Sequence, residues 1–228
     1  GGVDRACAAG FAAWLAGKGS AGKTRRNLIA NLGTVWEGLR RVRDDVTVNP
    51  WPLVLPDGRG ERLDAFTREE EAAVLAVADG AGWGLACRIA RHTGLRYGDV
   101  ATLTWDRVDL ALGVIRARPS KTARHGVTVA VPICAELRAA LSAADEARKN
   151  ERGRWAEYVC PQHARYYPNP RLGPQGLFSG VLRAAGVSGR HTFHSWRHTF
   201  RTRLAEAGVS DEIAKRLGSM LPAPIKGA

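Results

Sequence analysis

Two arginines, a lysine and a histidine stand in short motifs whose residue types suit phosphate chemistry. Arg96 ends the stretch TGLR, Lys121 is followed by a threonine, and His194 and Arg197 lie in the stretch HSWRHTF. An arginine can hold a phosphate through two parallel N–H donors, so two arginines can clamp both non-bridging oxygens of a phosphodiester as negative charge develops there. Arg96 and Arg197 are far apart in the sequence, and the fold must bring them together if they act as a pair.

Each of these motifs is weak evidence by itself. A histidine one helical turn before an arginine can arise by chance in a chain with 6 histidines and 28 arginines. The TGLR stretch also suits the end of a helix, and Lys121 could merely occupy a hairpin turn. Asp99, three residues after Arg96, and His198, next to Arg197, are candidate supporting residues.

The formal net charge of +12 favours a polyanionic partner, and nucleic acid is the first candidate. A basic surface with no specific partner is the alternative. The four cysteines are widely spaced and form no CxxC pair, so we expect no disulfide framework and a reducing compartment. The sequence has no run of about 18 apolar residues, so we predict no membrane-spanning helix. No carboxylate cluster predicts a metal site, and we expect no cofactor.

Two helices are predicted in the first part of the chain, at Ala8–Leu15 and at about Lys23–Arg43. Apolar residues at helical spacing predict one buried face on the second helix: Leu28, Leu32, Val35, Trp36 and Leu39. Four arginines on its other face could grip the phosphates of DNA or simply be solvated: Arg25, Arg26, Arg40 and Arg41. A stretch rich in proline and glycine then predicts a linker.

The rest of the chain predicts an α+β fold that is mainly helical, with a small three-stranded antiparallel sheet packed among the helices. The strands are expected at Trp105–Leu110, Val114–Arg118 and Val127–Val131. Helices are expected at about 68–79, 82–93, 97–103, 133–148, 175–185, 195–207 and 210–217. Thr67 and Glu70 predict a capping box at the first of them, and Gly94 predicts a left-handed helix end.

In this order, the motifs resemble the catalytic domain of the tyrosine recombinases of the phage integrase family, from about Ala65 to Gly218. The family's first arginine box matches Arg96 and Asp99, its hairpin lysine matches Lys121, and its H-x-x-R-H-T-F box matches His194 to Phe200. The N-terminal helices are similar to the family's core-binding domain. The resemblance implies a partial, SAM-like helical core-binding domain at 1–55, a linker at 56–64, and a catalytic domain at 65–228 that is incomplete at its C-terminal end.

The resemblance implies site-specific recombination of double-stranded DNA through a 3′-phosphotyrosine, by a homo-tetramer at synapsis. It also implies a bacterial cytoplasmic protein associated with the nucleoid. In this chemistry Arg96 and Arg197 stabilise the phosphate charge and Asp99 holds Arg96. His194 donates to phosphate or handles the nucleophile's proton, and Lys121 protonates the 5′-oxygen leaving group.

The sequence departs from the family pattern after Gly218. The family places a histidine or tryptophan there and the nucleophilic tyrosine a short distance later, but Ser219 and Met220 follow here, and no tyrosine does. The tyrosines present stand elsewhere: Tyr97, Tyr158, Tyr166 and Tyr167. The chain as written is therefore expected to form no phosphotyrosine intermediate. A catalytically inactive DNA-binding relative and a relaxing topoisomerase of the same chemistry are the alternative functions.

Overall fold

The structure is a computed structural model that describes residues 3–56, 64–117, 128–149, 153–169, 174–210 and 213. The chain divides into two compact units, Gly1–Arg62 and Leu63–Ala228. Among the described residues no helix is both long enough and apolar enough to cross a membrane.

The first unit consists of helix α1 (Arg5–Gly17), helix α2 (Gly22–Arg40) and a 3₁₀ turn at Trp51–Val54. Its small core joins Ala8 and Leu15 of α1 to Ile29 of α2 and to Trp51. The 3₁₀ turn packs beside Gly33 of α2, where a Cβ would lie 3.6 Å from the Trp51 Cβ. Residues 29 and 33 are one helical turn apart, so they form the buried side of α2.

The predicted buried face of α2 is correct at Leu32 and Trp36, which are partly buried and pack against this core, and wrong at its other three members. Leu28, Val35 and Leu39 are 43%, 62% and 38% exposed, whereas Ile29 is 1% exposed. Trp36 is also held to the unit by its indole N–H, which donates to the Val48 carbonyl over 2.8 Å. The sequence pattern identified the period of the helix correctly but missed the Trp51 turn, which packs beside the neighbouring Ile29 side of α2.

The second unit is mainly helical and carries one small sheet. Its helices are α3 (Arg68–Gly80), α4 (Gly84–Thr93), α5 (Tyr97–Ala101), α6 (Ala135–Arg148), α7 (Pro161–Tyr166), α8 (Pro174–Ala184) and α9 (Ser195–Glu206). The strands β1 (Val108–Asp109), β2 (Val114–Ala117) and β3 (Val129–Pro132) pair antiparallel in the order β1-β2-β3. In this sheet Ile115 of β2 lies opposite Val108 on one side and Val131 on the other. The predicted α+β fold is confirmed.

Local signals set several of these boundaries as predicted. Thr67 and Glu70 form the capping box of α3, in which each side chain accepts from the other residue's backbone N–H. Gly94 ends α4 with φ +63°, a left-handed conformation that favours glycine. The predicted strand Trp105–Leu110 is too long, because a 3₁₀ turn occupies Trp105–Arg107 and only β1 pairs. The sequence reading also missed α7. Most of the predicted helix 210–217 lies outside the described residues.

A buried carboxylate joins three helices of this unit. Glu71 of α3 is 4% exposed and accepts from Arg91 Nε of α4 over 2.6 Å and from Arg203 Nη2 of α9 over 2.7 Å. Arg91 also donates to both oxygens of Glu136 on α6. Arg96 follows the end of α4, and Arg197 lies within α9. Glu71 therefore fixes the two helices that position these arginines.

We expect Glu71→Gln to lower the free energy of unfolding by about 2 kcal/mol, because it removes the buried carboxylate that binds Arg91 and Arg203 together. Each arginine is left with only its more exposed partner, Glu136 or Glu206. Glu206→Gln is the matched control. It removes the other carboxylate bound to Arg203, but Glu206 has a side chain that is 51% exposed, so we expect a change within about 0.5 kcal/mol. Urea unfolding monitored by tryptophan fluorescence measures both. Equal effects of the two substitutions would contradict the role given to Glu71.

Candidate phosphate-binding site

Arg96 is placed by the sharp change of direction between α4 and α5. Gly94 ends α4, Leu95 is buried, and Arg96 is the extended residue immediately before α5. Its side chain is partly buried. A side chain at Gly94 would collide with the Phe200 ring, since a Cβ there would lie 2.5 Å from Phe200 Cδ1. Glycine therefore serves both the turn and the close approach of α9.

The second motif stands at the start of α9. His194 is the exposed residue that precedes the helix, and Arg197 lies in its first turn with 4% exposure. The helix is fixed by Thr199, whose hydroxyl oxygen accepts from the Phe66 backbone N–H over 2.8 Å and donates to the Ser195 carbonyl over 3.0 Å. Trp196, which is fully buried, packs against the Phe66 ring.

Contacts between the two motifs lock them together. Arg197 Nη1 donates to the Gly94 carbonyl over 2.6 Å, across 103 residues of sequence. Tyr97, the residue after Arg96, packs edge-on against Phe193, the residue before His194, with ring centroids 5.1 Å apart. The residues that flank Arg96 are thus in direct contact with the residues that flank His194 and with Arg197 itself.

Positive charge accumulates in this region with little compensation. Burial, followed by the nearby charges of Arg96 and Arg201, lowers the pKa of Arg197 to about 10, while Asp99 opposes this shift. Asp99 is a buried residue of α5. The predicted bond from Asp99 to Arg96 stays a prediction.

The two histidines beside the arginines are held in their neutral form at neutral pH. Although the residue as a whole is exposed, partial burial of its imidazole ring, followed by the charges of His198, Arg197 and Arg96, lowers the pKa of His194 to about 4. The pKa of His198 is also lowered, by burial and then by Arg201 and Arg197. The two imidazole rings lie 5.2 Å apart, in a T-shaped arrangement.

Both arginines retain hydrogen-bond donors that no described residue uses. Arg96 Nη1 and Arg197 Nη2 are buried from solvent and have no acceptor among the described residues. A buried, unsatisfied donor costs free energy, and more when it is charged. An anion between these donors would satisfy both, and phosphate has the charge and the oxygen geometry that arginine binds.

Lys121, the remaining predicted member, lies outside the described residues, in the segment between β2 and β3. Arg201 was missed by the sequence reading, although its position one turn after Arg197 could have revealed it. Within the described ranges, no three His, Cys, Asp or Glu side chains lie together as a metal-binding group.

The four arginines predicted to grip DNA all lie in the first unit. Arg26 donates to the Pro56 carbonyl over 2.9 Å, and Arg40 donates to Glu37 over 3.2 Å. Arg41 is exposed, and Arg25 is partly buried with an Nε that has no acceptor among the described residues. Two of the four are thus engaged within the unit, through groups that DNA phosphates would have to replace or supplement.

Comparison with known proteins defines the class to which this fold and motif set belong. Residues 66–219 match the model of the phage integrase family. The chain therefore belongs to the phage integrase family of tyrosine recombinases. It is also 27% identical over 185 residues to the prophage integrase IntR of Escherichia coli strain K12. That match covers 68% of this chain and 44% of IntR, so the chain spans less than half the length of this curated relative.

Solved structures share the fold at low sequence identity. The Tn1549 transposon integrase in complex with circular intermediate DNA is 23% identical, with a TM-score of 0.75 over 95% of this chain and 77% of that one. A lambda integrase tetramer bound to a Holliday junction is 20% identical, with a TM-score of 0.67 over 99% of this chain and 66% of that one. XerA recombinase is 18% identical, with a TM-score of 0.56 over 96% and 74%.

We expect the His194 imidazole to titrate near pH 4 in the folded protein, and Arg96→Gln to raise its pKa because one of the cations that lower it is removed. Since the folded pKa lies below the ordinary value of 6.5, unfolded chains bind more protons between these values, and His194 makes stability fall as pH falls from 6.5 toward 4. NMR titration of the imidazole protons measures the pKa. His163, whose pKa is lowered by burial, is the control that Arg96→Gln should leave unchanged. If the pKa of His194 is unchanged in Arg96→Gln, the charge of Arg96 does not act on His194 and this account of the lowered pKa is contradicted.

Proposed function

We propose that this chain carries the phosphate-binding site of a site-specific DNA recombinase, which cleaves and rejoins strands through a 3′-phosphotyrosine. The observation that carries the proposal is the pair of buried, unused donors, Arg96 Nη1 and Arg197 Nη2, in a cluster of positive charge. Membership of the phage integrase family supports the same chemistry. So does the net charge of +12, which favours DNA as the partner.

In the proposed reaction a tyrosine hydroxyl attacks the phosphorus, a bond from phosphorus to the tyrosine oxygen forms, and the bond to the 5′-oxygen breaks. Arg96 and Arg197 neutralise the charge on the non-bridging oxygens, which is largest in the transition state. His194 is neutral at neutral pH and can accept the tyrosine's proton or donate to a phosphate oxygen. Lys121 would deliver the proton that the departing 5′-oxygen requires. Rejoining reverses these steps.

Tyr97, the residue next to Arg96, is unsuited to be the nucleophile in this proposal. Tyr97 is buried against the core, and burial raises its pKa to about 12. Its hydroxyl lies 3.2 Å from His163 Nδ1, while His163 Nε2 lies 3.1 Å from the Gly82 carbonyl. Because that carbonyl can only accept, Nε2 carries the proton and the Tyr97 hydroxyl donates to Nδ1. Tyr167 packs against Gly98, and no tyrosine follows it in the sequence.

The remaining parts of the proposal concern how DNA is held. We assign Arg25, Arg26, Arg40 and Arg41 to a DNA-contacting face of the first unit, because α2 carries these four basic residues at its two ends. Double-stranded DNA in the bacterial nucleoid is the proposed partner. A tetramer at synapsis is proposed because a lambda integrase of the same fold forms one on a Holliday junction.

The 228-residue polypeptide is expected to bind a nicked suicide duplex but to leave no covalent band on a denaturing gel, because arginines lower a barrier without supplying a nucleophile. A native gel at low salt measures the binding, and Arg96→Gln should weaken it by about tenfold, the effect of one lost charged hydrogen bond.

Three outcomes of this experiment separate the candidate functions. No binding at low salt would contradict a DNA partner altogether. A covalent band would contradict the assignment of the tyrosines, and peptide mapping would identify the residue attached. Binding without a band is the expected result, and a longer chain from the same reading frame that gives a band would separate a recombinase from a DNA-binding relative without chemistry.

A further inference from the structure

Arg201 extends the basic face of α9 beyond the family motif, which ends at Phe200. It lies one helical turn after Arg197 and two turns after His194, so the three share one side of the helix. Side chains four residues apart on a helix are neighbours, with Cβ atoms about 5–6 Å apart, so Arg201 lies beside Arg197. In agreement, its charge lowers the pKa of Arg197 and of His198. Its side chain is partly exposed.

The guanidinium of Arg201 has no acidic partner in the described parts of the chain. Its Nε is buried and has no acceptor among the described residues, and no ion pair in the described parts of the chain includes Arg201. Arg203, two residues further on, shows the contrast, because it is bound by both Glu71 and Glu206. A third arginine beside Arg96 and Arg197 adds repulsion to the free protein, which an anion would relieve.

Resting on the proposed function, we infer that Arg201 is a further phosphate-binding residue, which holds the DNA phosphate next to the one clamped by Arg96 and Arg197. The four residues from Arg197 to Arg201 advance about 6 Å along the helix axis, so Arg201 reaches beyond the first phosphate. Arg96 and Arg197 already offer enough donors for the two non-bridging oxygens of that phosphate. The partly exposed side chain of Arg201 then has a separate phosphate to bind.

The salt dependence of DNA binding tests this inference, because it counts the phosphates that a protein neutralises rather than the donors on one phosphate. Log affinity for a duplex falls with log salt at a slope of about −0.9 per phosphate contact. We expect Arg201→Gln to weaken binding about tenfold and to reduce the magnitude of the slope by about 0.9, while Arg201→Lys keeps the wild-type slope. Arg183→Gln, at an exposed arginine in the last turn of α8, is the matched control and should keep it too.

Urea unfolding of the same variants separates a binding role from a structural one. Because Arg201 repels its neighbours in the free protein, Arg201→Gln should unfold at an equal or higher urea concentration. If Arg201→Gln unfolds at a lower urea concentration, its salt slope is compared with that of Arg201→Lys. Both substitutions alter packing, but only Arg201→Gln removes the charge, so a smaller slope in Arg201→Gln alone supports a phosphate contact. Equal slopes in the wild type, Arg201→Gln and Arg201→Lys would overturn the inference. A wild-type slope of zero would instead overturn the proposed function.

Discussion

The hydrogen bond from Arg197 Nη1 to the Gly94 carbonyl is the contact on which the geometry of the site depends. It uses one end of a buried guanidinium to tie α9 to the end of α4, while Nη2 has no acceptor among the described residues. An arginine suits this position because its planar fork presents donors in fixed directions, which a lysine could not do. Gly94 makes the contact possible, since its conformation and its lack of a side chain let Phe200 and Arg197 approach.

The surrounding packing holds that contact in place from two sides. On one side, the Tyr97 and Phe193 rings join the residues adjacent to Arg96 and His194 within the aromatic core. On the other, Glu71 fixes α4 and α9 through Arg91 and Arg203. Buried aromatic contacts and a buried ion pair are stiff, because moving either one leaves a void or an unpaired charge. The segments that carry Arg96 and Arg197 are therefore held against each other.

In our proposal, the repulsion between positive charges in the site favours the binding of a phosphate. Burial and neighbouring cations lower the pKa values of Arg197 and His194, so their surroundings disfavour positive charge on these two side chains. In that proposal a bound phosphate would reverse this balance, because it would supply acceptors and negative charge beside the two arginines. Binding energy would then be concentrated where charge develops on a reacting phosphate, as transition-state stabilisation requires.

The sequence was sufficient for the parts of this account that depend on local patterns. The capping box at Thr67, the left-handed end at Gly94 and the three strands follow from residue types and spacing. The buried side of α2 did not, because it depends on Trp51, which packs there from outside the helix. Short α7 and the role of Glu71 were also missed, since each depends on contacts between residues distant in sequence. Arg201 lay outside the recognised motif, although its spacing of one helical turn from Arg197 was visible in the sequence.

A structure of this protein bound to duplex DNA tests the central claim most directly. The account predicts that Arg96 Nη1 and Arg197 Nη2 donate to non-bridging oxygens of one phosphate at about 2.7–2.9 Å, with the Arg197–Gly94 bond retained. Guanidinium carbons of Arg96 and Arg197 more than about 12 Å apart, or each on a different phosphate, would contradict it, because two forks around one phosphate must nearly touch it.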